Sequence, residues 1–164
     1  VAAWAAAVRE CFEEAGLLVA RHEDGRPLRL VDRTEAARFD RHRRAVDRGE
    51  VDLLDVVADE GLHLPLGQLH YFAHWITPDP APRRYDTRFF LGRAPDDHLL
   101  RHDGDETIAA LWARPADALD RFAAGDFDLI RPTEHSLEIL SAYPDVDAVL
   151  AAAAVGPVGM ETPS

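Results

Sequence analysis

The sequence predicts an α/β fold, in which helices and strands alternate within one domain of ordinary size. The chain has 164 residues, of which 47% are apolar and 29% are charged, so it can bury a core beneath a charged surface. An alanine-rich, proline-free stretch at 2–15 is typical of a helix, whereas the aromatic and β-branched stretch at 66–78 is typical of a strand. We expect a single domain over 1–150 and a disordered tail over 151–164.

Glycine and proline mark where most of the elements begin or end. The first helix ends at Gly16, a residue that can leave a helix in the left-handed conformation. Each further helix adjoins such a residue, and these helices are predicted at 34–48, 51–62, 115–124, 132–143 and 145–154. Strands are predicted from short apolar and β-branched runs, at 17–20, 66–78, 85–94 and 106–114.

Composition excludes several classes of protein. A net charge of −12 argues against duplex DNA as the main partner, because phosphates bind to a basic surface. The longest apolar run, 148–155, is too short to cross a membrane, and the single cysteine excludes a disulfide framework. All 18 basic residues are arginine, which is typical of a GC-rich bacterial genome. We expect a cytoplasmic bacterial protein that binds neither nucleic acid nor membrane and whose sequence begins after its natural start.

The chemically informative stretch is Arg9-Glu10-Cys11-Phe12-Glu13-Glu14-Ala15-Gly16-Leu17. The spacing of Glu10, Glu13 and Glu14 places three carboxylates on one face of the first helix, where they repel each other unless cations lie between them. Hard divalent ions such as Mg²⁺ or Mn²⁺ prefer such oxygen ligands, and Arg9 is placed to orient one of the carboxylates. The alternative is an acidic, solvated surface helix that binds no metal.

This stretch resembles the second half of the Nudix box, whose pattern is Arg-Glu-U-x-Glu-Glu-x-Gly-U, with U a bulky apolar residue. The resemblance implies that Glu10, Glu13 and Glu14 bind Mg²⁺ or Mn²⁺ and that Arg9 orients them. It also implies a Nudix-type α/β/α sandwich with a mixed sheet, whose first strands precede this chain. The first half of the box has no match, since its glutamate would fall on Val1.

Later stretches are similar, in order, to the nucleoside diphosphate-linked moiety X motif 19 group, which includes coenzyme A and acyl-coenzyme A diphosphatases. These stretches are 74–78, 83–95, 105–119 and 129–140. The resemblance implies metal-dependent hydrolysis of a pyrophosphate linkage in a small nucleoside diphosphate derivative, with 34–61 as a helical insertion. Two alternatives stay open: a Nudix hydrolase of the ADP-ribose or dinucleotide type, and a Nudix-fold protein that binds nucleotides without hydrolysis. Dimers are common in the family, so a homodimer also stays open.

Glu106 is a further candidate, because in several Nudix enzymes a glutamate of this region acts as general base or as another metal ligand. The resemblance thus assigns catalysis to Arg9, Glu13 and Glu106, whereas the alternative for Glu106 is a solvated carboxylate at a strand edge. We expect Trp75 and Trp112 to lie in the core.

Overall fold

A computed structural model describes residues 2–77, 79–80, 83–95 and 111–159. The chain divides into two compact units. Unit 1 comprises Val1–Gln68 and Arg93–Leu111, and unit 2 comprises Leu69–Gly92 and Trp112–Ser164. The single domain predicted over 1–150 stays a prediction. Within the described ranges, no helix combines the length and the apolar character needed to span a membrane.

Three helices and a pair of short strands form the described part of unit 1. The helices are α1 (Ala2–Ala15), α2 (Arg33–Asp47) and α3 (Leu53–Asp59), and the antiparallel strands are β1 (Arg21–His22) and β2 (Leu62–His63). The core is built from apolar side chains of α1 and α2 and of the segment between them. Its most deeply buried members are Phe12, Leu18, Leu28 and Phe39.

The ends of the helices in unit 1 follow from local chemistry. At the end of α1, Gly16 adopts a φ of 67°, and its N–H donates to the carbonyl oxygen of Phe12 at 3.0 Å. This is the left-handed cap that favours glycine. At the start of α2, the Asp32 carboxylate accepts from the N–H groups of Thr34 and Glu35, both at 2.9 Å. These bonds satisfy donors that the first turn of a helix leaves without a partner.

Unit 2 contains an antiparallel pair of longer strands and three helices among its described residues. The strands are β3 (His70–Ile76) and β4 (Asp86–Leu91), and the helices are α4 (Pro115–Ala123), α5 (Arg131–Ser141) and α6 (Val146–Val155). Beyond α6, the N–H of Gly159 donates to the carbonyl oxygen of Phe72 at 2.9 Å. A side chain at Gly159 would put its Cβ 2.5 Å from the Cβ of Ala73, so only glycine fits this approach to β3.

The predicted helices are confirmed, with ends that differ by up to three residues. The prediction of a disordered tail is wrong for residues 151–155, which form the end of α6. The prediction that Trp112 lies in the core is also wrong, since this residue is 61% exposed. The segment 34–61 is mainly helical, and its status as an insertion stays a prediction.

The observed strands differ more from the predicted ones than the helices do. Residues 17–20 form no strand: their side chains pack into the core of unit 1, and the neighbouring residues 21–22 form the strand pair with β2. The predicted strand at 106–114 is not formed at 111–114, and its residues 106–110 lie outside the described ranges. The described strands therefore pair as two antiparallel pairs, rather than as the one mixed sheet that the resemblance implies.

Cys11 is the only thiol in the chain and lies half-buried on α1. Burial, helped by the negative charge of Glu14, raises the pKa of the Cys11 thiol to about 11. The thiolate is the reactive form, so Cys11 is a packing residue rather than a nucleophile.

The cap of α2 predicts a measurable loss of stability. Replacing Asp32 by alanine leaves two N–H groups without their acceptor and should lower the free energy of unfolding by about 1 kcal/mol. Urea denaturation followed by circular dichroism measures this loss. The matched control is Arg33→Ala at the next, exposed position, which should change stability by less than about 0.5 kcal/mol. Equal losses in the two variants would contradict the capping role.

The raised pKa of Cys11 predicts slow thiol chemistry in the native protein. At pH 8, a rise from the ordinary 9.0 to about 11 lowers the thiolate fraction roughly hundredfold. An aromatic disulfide reagent should therefore react with native Cys11 far more slowly than with the denatured chain. The native rate should keep rising between pH 8 and pH 10, because the thiol is still mostly protonated there. Equal native and denatured rates at pH 8 would refute the assignment.

Candidate functional site

Three glutamates of α1 form the candidate site, and their environments differ. The Glu13 side chain is buried, with 7% of the residue exposed, whereas the Glu10 side chain is 50% exposed. Glu14 lies between these extremes and is half-buried. The 3.6-residue period of the helix places all three within about one turn of each other. The exposure of the three carboxylates therefore decreases from Glu10, which faces solvent, through Glu14 to Glu13, which lies at the edge of the core.

Arg9 joins two of these glutamates. Its Nη1 donates to both carboxylate oxygens of Glu13 at 2.8 Å, and its Nη2 donates to the carboxylate of Glu10. A guanidinium that bridges two carboxylates reduces their mutual repulsion and fixes the rotamer of the buried one. Arg9 therefore contacts the carboxylates that the sequence predicts it to orient, with two bonds to Glu13, and its role towards a metal stays a prediction.

Burial is the main influence on the charge of Glu13. It raises the pKa of the Glu13 carboxyl, the Arg9 guanidinium opposes this rise, and the negative charges of Glu10 and Asp47 add to it. Burial also acts to lower the pKa of Arg9, but the attraction of Glu10 and Glu13 outweighs it and the pKa is raised. The ionised form of Glu13 is therefore less favourable here than in a solvent-exposed glutamate. A further positive charge at this place would stabilise it.

A second arginine holds the backbone of the same glutamate. Arg43 of α2 is 6% exposed, and its Nη1 donates to the carbonyl oxygen of Glu13 at 2.9 Å. Its Nη2 lies 3.4 Å from an oxygen of Asp40, one turn earlier on α2. Glu13 is consequently fixed at both ends, at its carboxylate by Arg9 and at its carbonyl by Arg43.

A cavity of about 290 Å³ opens beside Arg9 and Glu13. Its other wall is the end of α2 and the connection to α3, formed by Val46, Gly49, Val51, Asp52 and Leu53. This volume is close to the lower end of the range of small-molecule sites, about 300 Å³. One wall is charged and the other is mainly apolar, so the cavity can accept a ligand that has an ionic part next to an apolar part.

The donor chemistry of the three glutamates fits a hard divalent cation, which prefers carboxylate oxygens. Their present arrangement is not a preformed ligand cage, since no three acidic, histidine or cysteine side chains among the described residues gather into a metal-holding group. Arg9 bonds the carboxylates of Glu13 and Glu10, two of the three groups that would ligate an ion. Because Glu10 is exposed, its side chain can turn towards an ion without disturbing the core.

The structure brings no other sequence candidate among its described residues into this cluster. Glu106 is outside the described residues, so its predicted role stays a prediction. The exposed arginines of α2 mostly form ion pairs with neighbouring carboxylates. These ion pairs join Arg38 to Glu35 and Glu60, Arg44 to Asp40, and Arg48 to Glu50.

The sequence patterns did not indicate Arg43, Asp47 or the cavity wall between α2 and α3. The helical spacing of α2 could have indicated Arg43, because Arg43 falls on the same face as the buried residues Ala36, Phe39 and Val46. A charged residue on the apolar stripe of a helix needs a buried partner. The cavity wall had no comparable signal, since valines beside a glycine are ordinary in a helix–helix connection.

Comparison with known proteins identifies the family of the chain. The family model described as NUDT19 Nudix domain matches residues 1–139. Acyl-coenzyme A diphosphatase NUDT19 of Gallus gallus is 30% identical over 148 residues, covering 80% of this chain and 38% of that protein. The protein of the same name from Homo sapiens is 28% identical over 146 residues, covering 84% of this chain and 38% of that protein. The chain thus spans well under half the length of these relatives.

A solved structure is similar as well. The crystal structure of a NUDIX hydrolase from Alicyclobacillus acidocaldarius matches with a TM-score of 0.68 and 32% sequence identity, covering 92% of this chain and 65% of that chain. This similarity confirms the predicted α/β fold of the Nudix type. Since the family match extends over most of the chain and includes the glutamates of α1, the chain belongs to the Nudix family, in the group of the NUDT19 Nudix domain.

Proposed function

We propose that this protein is a divalent-metal-dependent hydrolase that cleaves the pyrophosphate linkage of a nucleoside diphosphate derivative, coenzyme A or an acyl-coenzyme A. The observation that carries the proposal is the buried carboxylate of Glu13, flanked by Glu10 and Glu14 and adjoining a cavity of about 290 Å³. The acyl-coenzyme A diphosphatase relatives support this choice of substrate. The apolar side of the cavity is compatible with a substrate that carries apolar groups beside its phosphates.

In this proposal Glu10, Glu13 and Glu14 would hold Mg²⁺ or Mn²⁺. Such an ion supplies positive charge beside a diphosphate and acidifies a water molecule. Arg9 keeps the Glu13 carboxylate in one rotamer, so that the most buried ligand is preorganised before substrate binds. Glu106 is proposed as the general base, which accepts a proton from the attacking water.

A second candidate is a nucleotide-binding protein without hydrolase activity. The observation that favours it is the contact of Arg9 with both Glu10 and Glu13, which leaves no preformed group of three ligands in the described part of the chain. We also propose that the protein acts in the cytoplasm, with a homodimer as the expected assembly from the family resemblance. Activity assays on the complete gene product separate the two candidates.

Loss of a glutamate should abolish metal-dependent turnover without unfolding the protein. Glu13→Gln and Glu14→Gln keep the shape of the side chain but remove its charge, and each should lower kcat by roughly 100-fold or more. Phosphate release at saturating Mg²⁺ and Mn²⁺ measures the effect. Glu23→Gln, at an exposed turn of the same unit, is the matched control and should retain full activity. Unchanged turnover in both site variants would refute the assignment.

The substrate class is tested by comparing coenzyme A, an acyl-coenzyme A, ADP-ribose and NADH at equal concentration. We expect kcat/KM to be highest for one of the two coenzyme A compounds, with the Glu14→Gln variant as the blank. A clear preference for ADP-ribose or NADH would reject the coenzyme A substrate and keep the hydrolase. Binding of these nucleotides without cleavage of any of them would favour the non-hydrolytic candidate.

A further inference from the structure

We infer that Arg43 is a positioning residue for the metal-binding face of α1: its bond to the Glu13 carbonyl holds the last turn of the helix in the geometry that places Glu13 and Glu14. The inference rests on the proposed function, since it assigns a role to Arg43 in building that same site. Arg43 bonds the Glu13 carbonyl and Asp40 and does not line the cavity of about 290 Å³, so its action passes through the backbone of α1.

The carbonyls at the end of α1 show why this bond matters. The last four carbonyls of a helix have no partner within the helix, and each needs another donor. The Phe12 carbonyl accepts from Gly16 N–H at 3.0 Å, and the Cys11 carbonyl accepts from Leu17 N–H at 3.3 Å. The Glu13 carbonyl is satisfied instead from another helix, by Arg43 Nη1 at 2.9 Å in a buried setting. A cation at this end also interacts favourably with the helix dipole.

The remaining contacts of Arg43 indicate that stability alone does not explain an arginine here. Its Nε is buried and has no hydrogen-bond partner in the described structure, and its contact with Asp40 is long at 3.4 Å. A cavity of about 20 Å³, lined in part by Phe12, Phe39 and Arg43, adjoins it. An incompletely paired buried charge is costly, and an apolar side chain of similar length often packs better. The guanidinium donates a hydrogen bond to the Glu13 carbonyl, which an apolar side chain could not do.

The spacing of the glutamates makes the inference specific. Glu13 and Glu14 lie in the last turn of α1, next to the Arg43 bond, whereas Glu10 lies one turn earlier. If the last turn loosens, two of the three carboxylates lose their fixed position while the fold around Glu10 is retained. Metal binding should therefore weaken, whereas the affinity of the metal-loaded enzyme for its substrate should change less.

The experiment compares Arg43→Met, Arg43→Lys and Arg44→Met in the complete gene product. Arg44 is the matched control, because it follows Arg43 on α2, pairs with the same Asp40, is exposed and makes no bond to α1. Binding of Mn²⁺ alone is measured by the loss of the free-ion electron paramagnetic resonance signal. Folding of each variant is checked by circular dichroism, and kcat and KM are measured at saturating metal.

Arg43→Met should bind Mn²⁺ at least roughly tenfold more weakly, as is typical of residues that orient metal ligands, with KM changed by less than about threefold. Arg43→Lys keeps a donor for the Glu13 carbonyl and should restore most of the affinity, while Arg44→Met should match the wild type. Should Arg43→Met not fold, Arg43→Gln, whose shorter amide does not reach the carbonyl, takes its place with the same expected loss.

Wild-type affinity for Mn²⁺ in a folded Arg43→Met or Arg43→Gln protein would overturn the inference and leave the proposed function intact. An equal loss in Arg44→Met would overturn it as well, since the effect would then belong to the charge of α2 rather than to the bond. Failure of the proposed function has a different signature, because the wild-type protein itself would then neither bind Mn²⁺ nor release phosphate.

Discussion

The carbonyl and the carboxylate of Glu13 are each held by a different arginine, and much of unit 1 depends on this arrangement. Arg9 reaches the carboxylate from the same helix, and Arg43 reaches the carbonyl from α2. The second bond crosses between helices, so the packing of α2 against α1 adds a restraint on the backbone of Glu13 to the one that Arg9 places on its carboxylate. The core residues Phe12 and Phe39, one on each helix, bury the apolar surface on which this packing depends.

The same arrangement makes ionisation of a carboxylate less favourable at the proposed site. Burial raises the pKa of Glu13, and the charges of Glu10 and Asp47 add to the repulsion, although Arg9 opposes it. Three carboxylates lie within one turn of α1, and one of them is buried. Sites that bind cations commonly have this character, because ligands that are unfavourable alone become favourable around a charge of opposite sign.

Local sequence patterns predicted the helices and the acidic face, because both depend on residues close together in the chain. Gly16 and the alanine-rich run before it determine α1, and the spacing of its glutamates follows from the helical period. The strands were less predictable, since pairing depends on distant partners: residues 17–20 have a strand-like composition but pack into the core, and the short strand forms next to them. The role of Arg43 was unpredictable for the same reason as the strand pairing. Its role arises from a contact across 30 positions of the chain, which no local pattern contains.

The position of α2 has a consequence for how a ligand would be recognised. Helix α2 supplies the bond to the Glu13 carbonyl on the acidic face of α1, and its C-terminal end, with the connection to α3, supplies the mainly apolar wall of the adjoining cavity. A change in the packing of α2 therefore alters both the ligand geometry and the shape of the pocket. The wall residues Val46 and Val51 bear no charge, so they can select among ligands by shape and apolar contact while Arg9 and Glu13 remain unchanged. In the proposed function, metal binding and ligand recognition would therefore rest on different residues of unit 1, and substitutions at the wall would change ligand preference without loss of the acidic face.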